Sequence, residues 1–259
     1  MIQRLINLSK TYSLFLFGAR NTGKSHLVQT EFKAGQTLYI DLLDPMIEAK
    51  YARNPMILSE EVSELNKKTT HVVIDEVQKL PLLLNVVHKI LEEHKKIIFI
   101  LTGSSARKLK QAGVDLLAGR AFVYHLYPFS FLELKSQFNL EHALQFGLLP
   151  KLLSFSTDAD KNRFLLSYTQ TYLKEEIWAE HIIRKLEPFR RFLEVAAQAN
   201  TKVINCNNIA NDVGADNKTV ENYFTILEDT LVGYMLQPFH HSFRKRLSQK
   251  PKFYFIDIG

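Results

Sequence analysis

Cysteine is almost absent: Cys206 is the only one in 259 residues. It can form neither an intrachain disulfide nor a multi-cysteine zinc site. Such usage suits a reducing cytoplasm, which is the expected location. Long apolar runs are missing too. None approaches the roughly 20 residues of a membrane span, so no membrane association is expected. The first residues, Met1-Ile2-Gln3-Arg4-Leu5, lack a secretory-signal pattern. Charge of one sign is in small excess: 33 Lys and Arg against 27 Asp and Glu give +6. That permits a polyanionic partner without demanding one. The length allows one large domain or, more readily, two smaller ones.

One stretch organises the rest. Gly18-Ala19-Arg20-Asn21-Thr22-Gly23-Lys24-Ser25 fits G-x-x-x-x-G-K-[ST]. The apolar run Leu14-Phe15-Leu16-Phe17 before it reads as a buried strand, and Lys24 through Phe32 after it as a helix. Glycines let the backbone curl so that its N–H groups converge on an anion. The helix adds free N–H groups and a positive dipole end. Gly18 through His26 are the candidate nucleotide-binding residues. Lys24 is expected to reach the β- and γ-phosphates, and the Ser25 hydroxyl to ligate Mg²⁺.

His71-Val72-Val73-Ile74-Asp75-Glu76 is the second landmark, an apolar run ending in two acids. Such a strand buries its apolar part and delivers two carboxylates at its end. Asp75 is expected to hold the Mg²⁺ shell, and Glu76 to orient and deprotonate an attacking water. Ile97-Ile98-Phe99-Ile100-Leu101 is a further buried strand, followed by Thr102. Thr102 is either a phosphate sensor or a strand-capping threonine. Arg120, ahead of the β-prone run 121–124, either reaches a neighbouring subunit's γ-phosphate or is an ordinary surface arginine. No Asn-Lys-x-Asp base-reading motif occurs, which favours ATP over GTP.

Strands near 14–17, 37–43, 71–75, 97–101 and 121–124 alternate with helical patterns. Alternation of that kind implies an α/β fold with a parallel sheet and helices on both faces. Nucleotide then binds at the carboxyl ends of the strands. Residues 1–10 read as a short helix. Asp44-Pro45 opens another, a third lies near 59–68, and a fourth starts at Pro81.

The strings carrying these motifs occur in a telling order. They are Gly18 to Ser25, Ile74-Asp75-Glu76-Val77-Gln78-Lys79-Leu80-Pro81, Leu101-Thr102-Gly103-Ser104-Ser105, Leu117-Ala118-Gly119-Arg120 and Tyr127-Pro128-Phe129-Ser130-Phe131. Together they resemble a prokaryotic AAA-type ATPase family whose members add a winged-helix region and, usually, a C-terminal restriction-nuclease-like domain. Gly147-Leu148-Leu149-Pro150 and Lys252 to Gly259 are similar to further signatures of that family. The resemblance implies a P-loop NTPase fold of AAA type, Thr102 as sensor and Arg120 as an arginine finger; an arginine that completes a neighbour's site makes a homo-oligomer expected. Ala19 stands where the family often has Pro. The chain stops at Gly259, where the family continues, so a missing nuclease-like domain is expected.

The expected division is an ATPase domain at 1–135, a helical connector at 136–185 and a winged-helix-like domain at 186–259. A long helix is expected from Asp158 to His181. Asn208 to Asp216 suits a helix-turn-helix, with small Ala210 and Gly214 at the turn. Gly233–Phe239 and Lys252–Ile256 read as the two strands of a wing. Lys218 and Asn222 could face a major groove, but Asp216, Glu221, Glu228 and Asp229 make that helix net acidic. Arg244, Lys245 and Arg246 form the better basic patch. DNA contact and protein docking stay equally open. The pair His240-His241 has no spaced partner that would make it a metal site.

The function expected is Mg²⁺-dependent ATP hydrolysis coupled to conformational change on a DNA or protein partner. The alternatives are an ATP-gated binding switch with little turnover and a plain DNA-binding regulator.

Overall fold

The four residues Leu14–Phe17 are all buried, and the strand they form, β1, is an interior strand of a five-stranded parallel sheet. The computed structural model describes residues 2–33, 35–66, 68–94, 96–104, 106, 107, 109, 117–172, 186–239, 241 and 249–259. The chain divides into two units, Met1–Tyr127 and Pro128–Gly259.

In the first unit β1 is followed by α1 (Lys24–Glu31), β2 (Thr37–Asp41), α2 (Pro45–Arg53), α3 (Ile57–Ser63), β3 (His71–Asp75), α4 (Leu83–Glu93), β4 (Ile98–Gly103) and β5 (Phe122–His125). The strand order is β2-β3-β4-β1-β5, with every pairing parallel. Successive side chains of a strand point to opposite faces. Leu14, Leu16, Val73 and Ile100 pack with Leu27, Val28 and Phe32 on the α1 face. Phe15, Phe17, Val72, Ile74, Phe99 and Leu101 point the other way and are equally buried. A sheet buried on both faces needs such continuous apolar strands. The β1–β2 crossover runs one way across the sheet and the next two run back. Right-handed crossovers therefore carry α1 over one face and α2 to α4 over the other.

Local chemistry sets the element ends. Asp44 caps α2, its carboxylate accepting from the Met46 N–H at 2.8 Å, with Pro45 in the first turn. Such a cap contributes about 1 kcal/mol. Strand β2 stops at Asp41, short of the expected 43, because the Asp41 carboxylate accepts from the Leu43 N–H at 2.8 Å and turns the chain. Helix α3 is shorter and earlier than expected, since its buried anchors are Leu58 and Val62.

The helix expected at residues 1–10 is not there; residues 2–10 are irregular. Leu8 is buried in the core, Ile6 packs against it, and Arg4 makes long-range hydrogen bonds. Those tertiary contacts hold the segment against a short helix that would be marginal alone.

The second unit is mainly helical: α5 (Phe131–Leu134), α6 (Leu140–Phe146), α7 (Asp158–Thr171), α8 (Leu186–Gln198), α9 (Cys206–Val213) and α10 (Asn217–Asp229). An antiparallel pair follows, β6 (Gly233–Leu236) and β7 (Lys252–Phe255). Beyond Tyr172, the expected long helix lies outside the described residues. The core gathers Phe189, Phe192, Phe224 and Phe253, with Phe192 edge-on to Phe224 at 4.8 Å. Gly214 takes the left-handed conformation that ends α9, and the Asp216 carboxylate caps α10 through the Thr219 N–H at 2.8 Å.

Two strings of this unit meet in space. The Asp257 carboxylate accepts from the Leu148 N–H at 2.9 and 3.1 Å. Burial pushes the Asp257 carboxyl up from its ordinary range, and those backbone donors oppose the shift. Gly147 between them has φ 79° and ψ −167°, a backbone region open essentially to glycine. A Cβ there would also lie 2.4 Å from the Asp257 carboxylate. Gly147→Ala is expected to destabilise the protein by about 1–3 kcal/mol, read as a fall in urea midpoint. An unchanged midpoint would contradict this account of the turn.

Candidate functional site

The carboxyl ends of β1, β4 and β3 lie side by side, and the candidate residues project from them. Strand β4 sits between the other two, with Phe17 of β1 paired to Gly103 and Leu101 of β4 paired to Ile74 of β3. The Gly18–Gly23 loop leaves β1 and feeds α1. Gly18 must be glycine, because a Cβ would lie 2.4 Å from the Leu126 carbonyl oxygen. Its N–H donates to Gly103 O at 3.2 Å. Asn21 and Gly23 have φ of 62° and 91°, so the loop curls twice through left-handed backbone. Thr22 is fully buried and donates its hydroxyl to Ala19 O at 2.8 Å.

Helix α1 has no side-chain cap at Gly23, which leaves its first turn suited to an anion. Lys24 is buried, and its ammonium donates to Gly18 O at 2.7 Å and Ala19 O at 3.2 Å. The cation therefore lies over the loop. Ser25 is half-buried and His26 exposed, both in the same turn, while Ala19 is buried and Arg20 half-buried in the loop.

Asp75 is 2% exposed at the end of β3. One carboxylate oxygen accepts from the Thr102 hydroxyl, and the other from the Tyr39 hydroxyl at 2.5 Å. Thr102 is fully buried and also accepts from the Glu76 N–H at 3.1 Å. Its hydroxyl thus joins the two acids from the neighbouring strand. Burial, then the Asp75 carboxylate, pushes the Tyr39 phenol well above its ordinary range, so it stays a donor. Glu76 is half-buried with φ 60° and ψ 46°. A non-glycine residue held there costs about 1–3 kcal/mol, and such strain clusters at functional sites. The Gln78 amide donates to the Glu76 carboxylate and to Ser104 Oγ.

Arg120 stands apart from this group. It precedes Phe122, which pairs with Leu14 at the amino end of β1, whereas the loop follows Phe17 at the other end. Its guanidinium pairs with Glu92 at 3.1 Å, both side chains being largely exposed. Lys218 and Asn222 lie exposed on α10 of the second unit. Arg244, Lys245 and Arg246 lie outside the described residues.

Three residues of the site carried no role in the sequence. Tyr39 reaches Asp75 on the neighbouring strand, and Gln78 reaches Glu76 in its own turn and Ser104 just after β4. Arg4 donates to Thr22 O and Tyr127 O, both at 2.7 Å, and so ties the loop to the exit of β5. Among the described residues no group of three or more His, Cys, Asp or Glu could hold a metal by itself. The donor set that is present, a helix-start hydroxyl and one buried carboxylate, fits Mg²⁺ that keeps waters and phosphate oxygens as its other ligands.

A parallel sheet of this order, with a phosphate-type loop after β1 and an acid pair after β3, defines a P-loop nucleotide-binding domain of AAA type. Residues 10–135 match the family model of an AAA domain. Residues 137–259 match a domain of unknown function, DUF8612. No curated protein matches the chain. Among solved structures, domain III of the Thermotoga maritima replication initiation protein DnaA is similar at 16% identity and a TM-score of 0.34, over 85% of each chain. No helix among the described residues is long and apolar enough to cross a membrane.

Tyr39→Phe would leave one oxygen of a buried carboxylate without its donor. It is expected to destabilise the protein by about 1–3 kcal/mol, measured by equilibrium urea unfolding. A loss below a few tenths of a kcal/mol would show that Tyr39 does not hold Asp75.

Proposed function

We propose that this protein binds ATP with Mg²⁺ and hydrolyses it, and that turnover drives a conformational change. One observation carries the reading: the strand order gathers the Lys24 loop, the Asp75–Glu76 pair and Thr102 at adjacent strand ends. The loop N–H groups and the start of α1 hold the phosphates, and Lys24 neutralises their charge. Ser25 and Asp75 would hold Mg²⁺, which when bound supplies further neutralisation of the phosphate oxygens. Thr102 and Tyr39 hold the Asp75 carboxylate in place through their hydroxyls. Glu76 orients a water and accepts its proton as the water oxygen bonds to the γ-phosphorus. The bond from that phosphorus to the bridging oxygen breaks, and ADP and phosphate leave. Water and ATP supply every atom of the products.

Arg120 lies at the amino end of the strands, opposite the loop, so its role in turnover would be toward a second copy. Full activity then needs a homo-oligomer. The acid pair is intact, and this favours hydrolysis over an ATP-gated switch with little turnover.

The second unit suits a winged helix: α9 and α10 form the helix-turn-helix and β6–β7 the wing. A DNA or protein partner engages there. On α10 the Glu221 carboxylate accepts from Asn217 beside Lys218, and Glu221 and Glu228 line a cleft of about 420 Å³. Acids at that place oppose phosphate approach, which favours a protein partner, while Arg244, Lys245 and Arg246 remain the residues for DNA contact. The cytoplasm is the compartment this reading fits.

Steady-state hydrolysis across a protein-concentration series, with and without duplex DNA, tests the proposal. The rate per subunit should rise with concentration. Lys24→Ala, Glu76→Gln and Arg120→Ala should each lower kcat by about a hundredfold or more. A concentration-independent rate untouched by Arg120→Ala would remove the role in trans. ATP binding with a wild-type rate equal to that of Glu76→Gln would turn the reading to the switch.

A further inference from the structure

Gln78 is 4% exposed, in the turn just after the acid pair. Its amide nitrogen donates to Glu76 Oε2 and to Ser104 Oγ at 3.3 Å. Its amide oxygen is buried and has no hydrogen-bond partner among the described residues. Turning the amide over would set that oxygen against the Glu76 carboxylate, so the charge fixes which end points where. On the far side Gly103 has no room for a Cβ, which would lie 2.6 Å from the Gln78 oxygen. The amide is thus wedged between β4 and the carboxylate of a residue that already sits in left-handed backbone.

A buried side chain with an unsatisfied acceptor is poor for stability. An apolar chain of the same length would pack there without that cost. What the glutamine alone supplies is a donor to one oxygen of Glu76. A carboxylate has two oxygens, and Glu76 Oε1 accepts from no described residue. Holding Oε2 therefore fixes the plane of the carboxylate and leaves Oε1 to take a proton. Because Ser104 follows β4 directly, the same amide ties that orientation to the strand carrying Thr102.

We infer that Gln78 is a positioning residue that aims the Glu76 carboxylate at the attacking water. The inference rests on the hydrolysis reading above. Orientation of a general base contributes to rate but little to nucleotide affinity. Removing the donor should lower kcat and leave ATP binding alone.

The test is a cycle of four full-length proteins: wild type, Gln78→Met, Glu76→Gln and the double variant. Methionine keeps the length and loses the donor. The expected result is a fall in kcat of about tenfold or more for Gln78→Met, an ATP dissociation constant within about twofold of wild type, and an unfolding midpoint no lower than wild type. On the Glu76→Gln background the second substitution should cost no further rate, the signature of two residues acting as one device. Gly103→Ala, which pushes the amide from behind, should lower kcat in the same direction. An active wild type with undiminished Gln78→Met turnover, or losses that simply multiply in the double variant, would overturn the role of Gln78. A wild type no faster than Glu76→Gln would instead overturn the hydrolysis reading itself, a different result on the same plate.

Discussion

A carboxylate buried at the end of a sheet is the constraint on which the first unit depends. Taking Asp75 out of water costs several kcal/mol unless its oxygens are met by donors. Tyr39 from β2 and Thr102 from β4 meet them, so three strands must be in register for the charge to be tolerated. Thr102 then also receives the Glu76 N–H, which fixes where the second acid begins. With β4 between β1 and β3, this arrangement lies directly beside the Lys24 loop. The loop is held from the other side by Arg4, which joins it to the last residue of the unit, Tyr127.

Strain and chemistry coincide here. The positive φ values of the site fall on Asn21, Gly23 and Glu76, in the phosphate-type loop and at the acid that would prepare water. The buried, unsatisfied oxygen of Gln78 is beside them. Each of these features costs stability, and each is held by packing around it. Positive φ is not confined to the site: in the second unit Lys135, Thr201 and Leu231 also have it, and the strained turn at Gly147 serves a closure with Asp257.

How much of this could be read from the chain depends on range. The loop, the acid pair and all five strands of the sheet were legible, because each is a contiguous apolar run or a short motif with a turn residue at a set offset. The antiparallel pair β6–β7 and the turn between α9 and α10 were legible for the same reason. Arg4 was not: it sits in a stretch that looks like a short helix, and its partners are 18 and 123 residues away. Tyr39 looked like one more strand aromatic, since only the β2–β3 register brings it to Asp75. Gln78 stood inside a quoted motif, yet its wedge against Gly103 is a tertiary fact. Ends of elements moved where a side chain captured a backbone group, as at Asp41.

The central claim is that the gathered strand ends form one Mg²⁺–ATP site. The most direct measurement is an equilibrium titration of the full chain with ATP, in Mg²⁺ and in chelator, beside Lys24→Ala and Asp75→Asn. The account predicts tight binding strengthened by Mg²⁺, loss of that strengthening alone in Asp75→Asn, and loss of most affinity in Lys24→Ala. ATP affinity indifferent to Mg²⁺ and unchanged in both variants would contradict it.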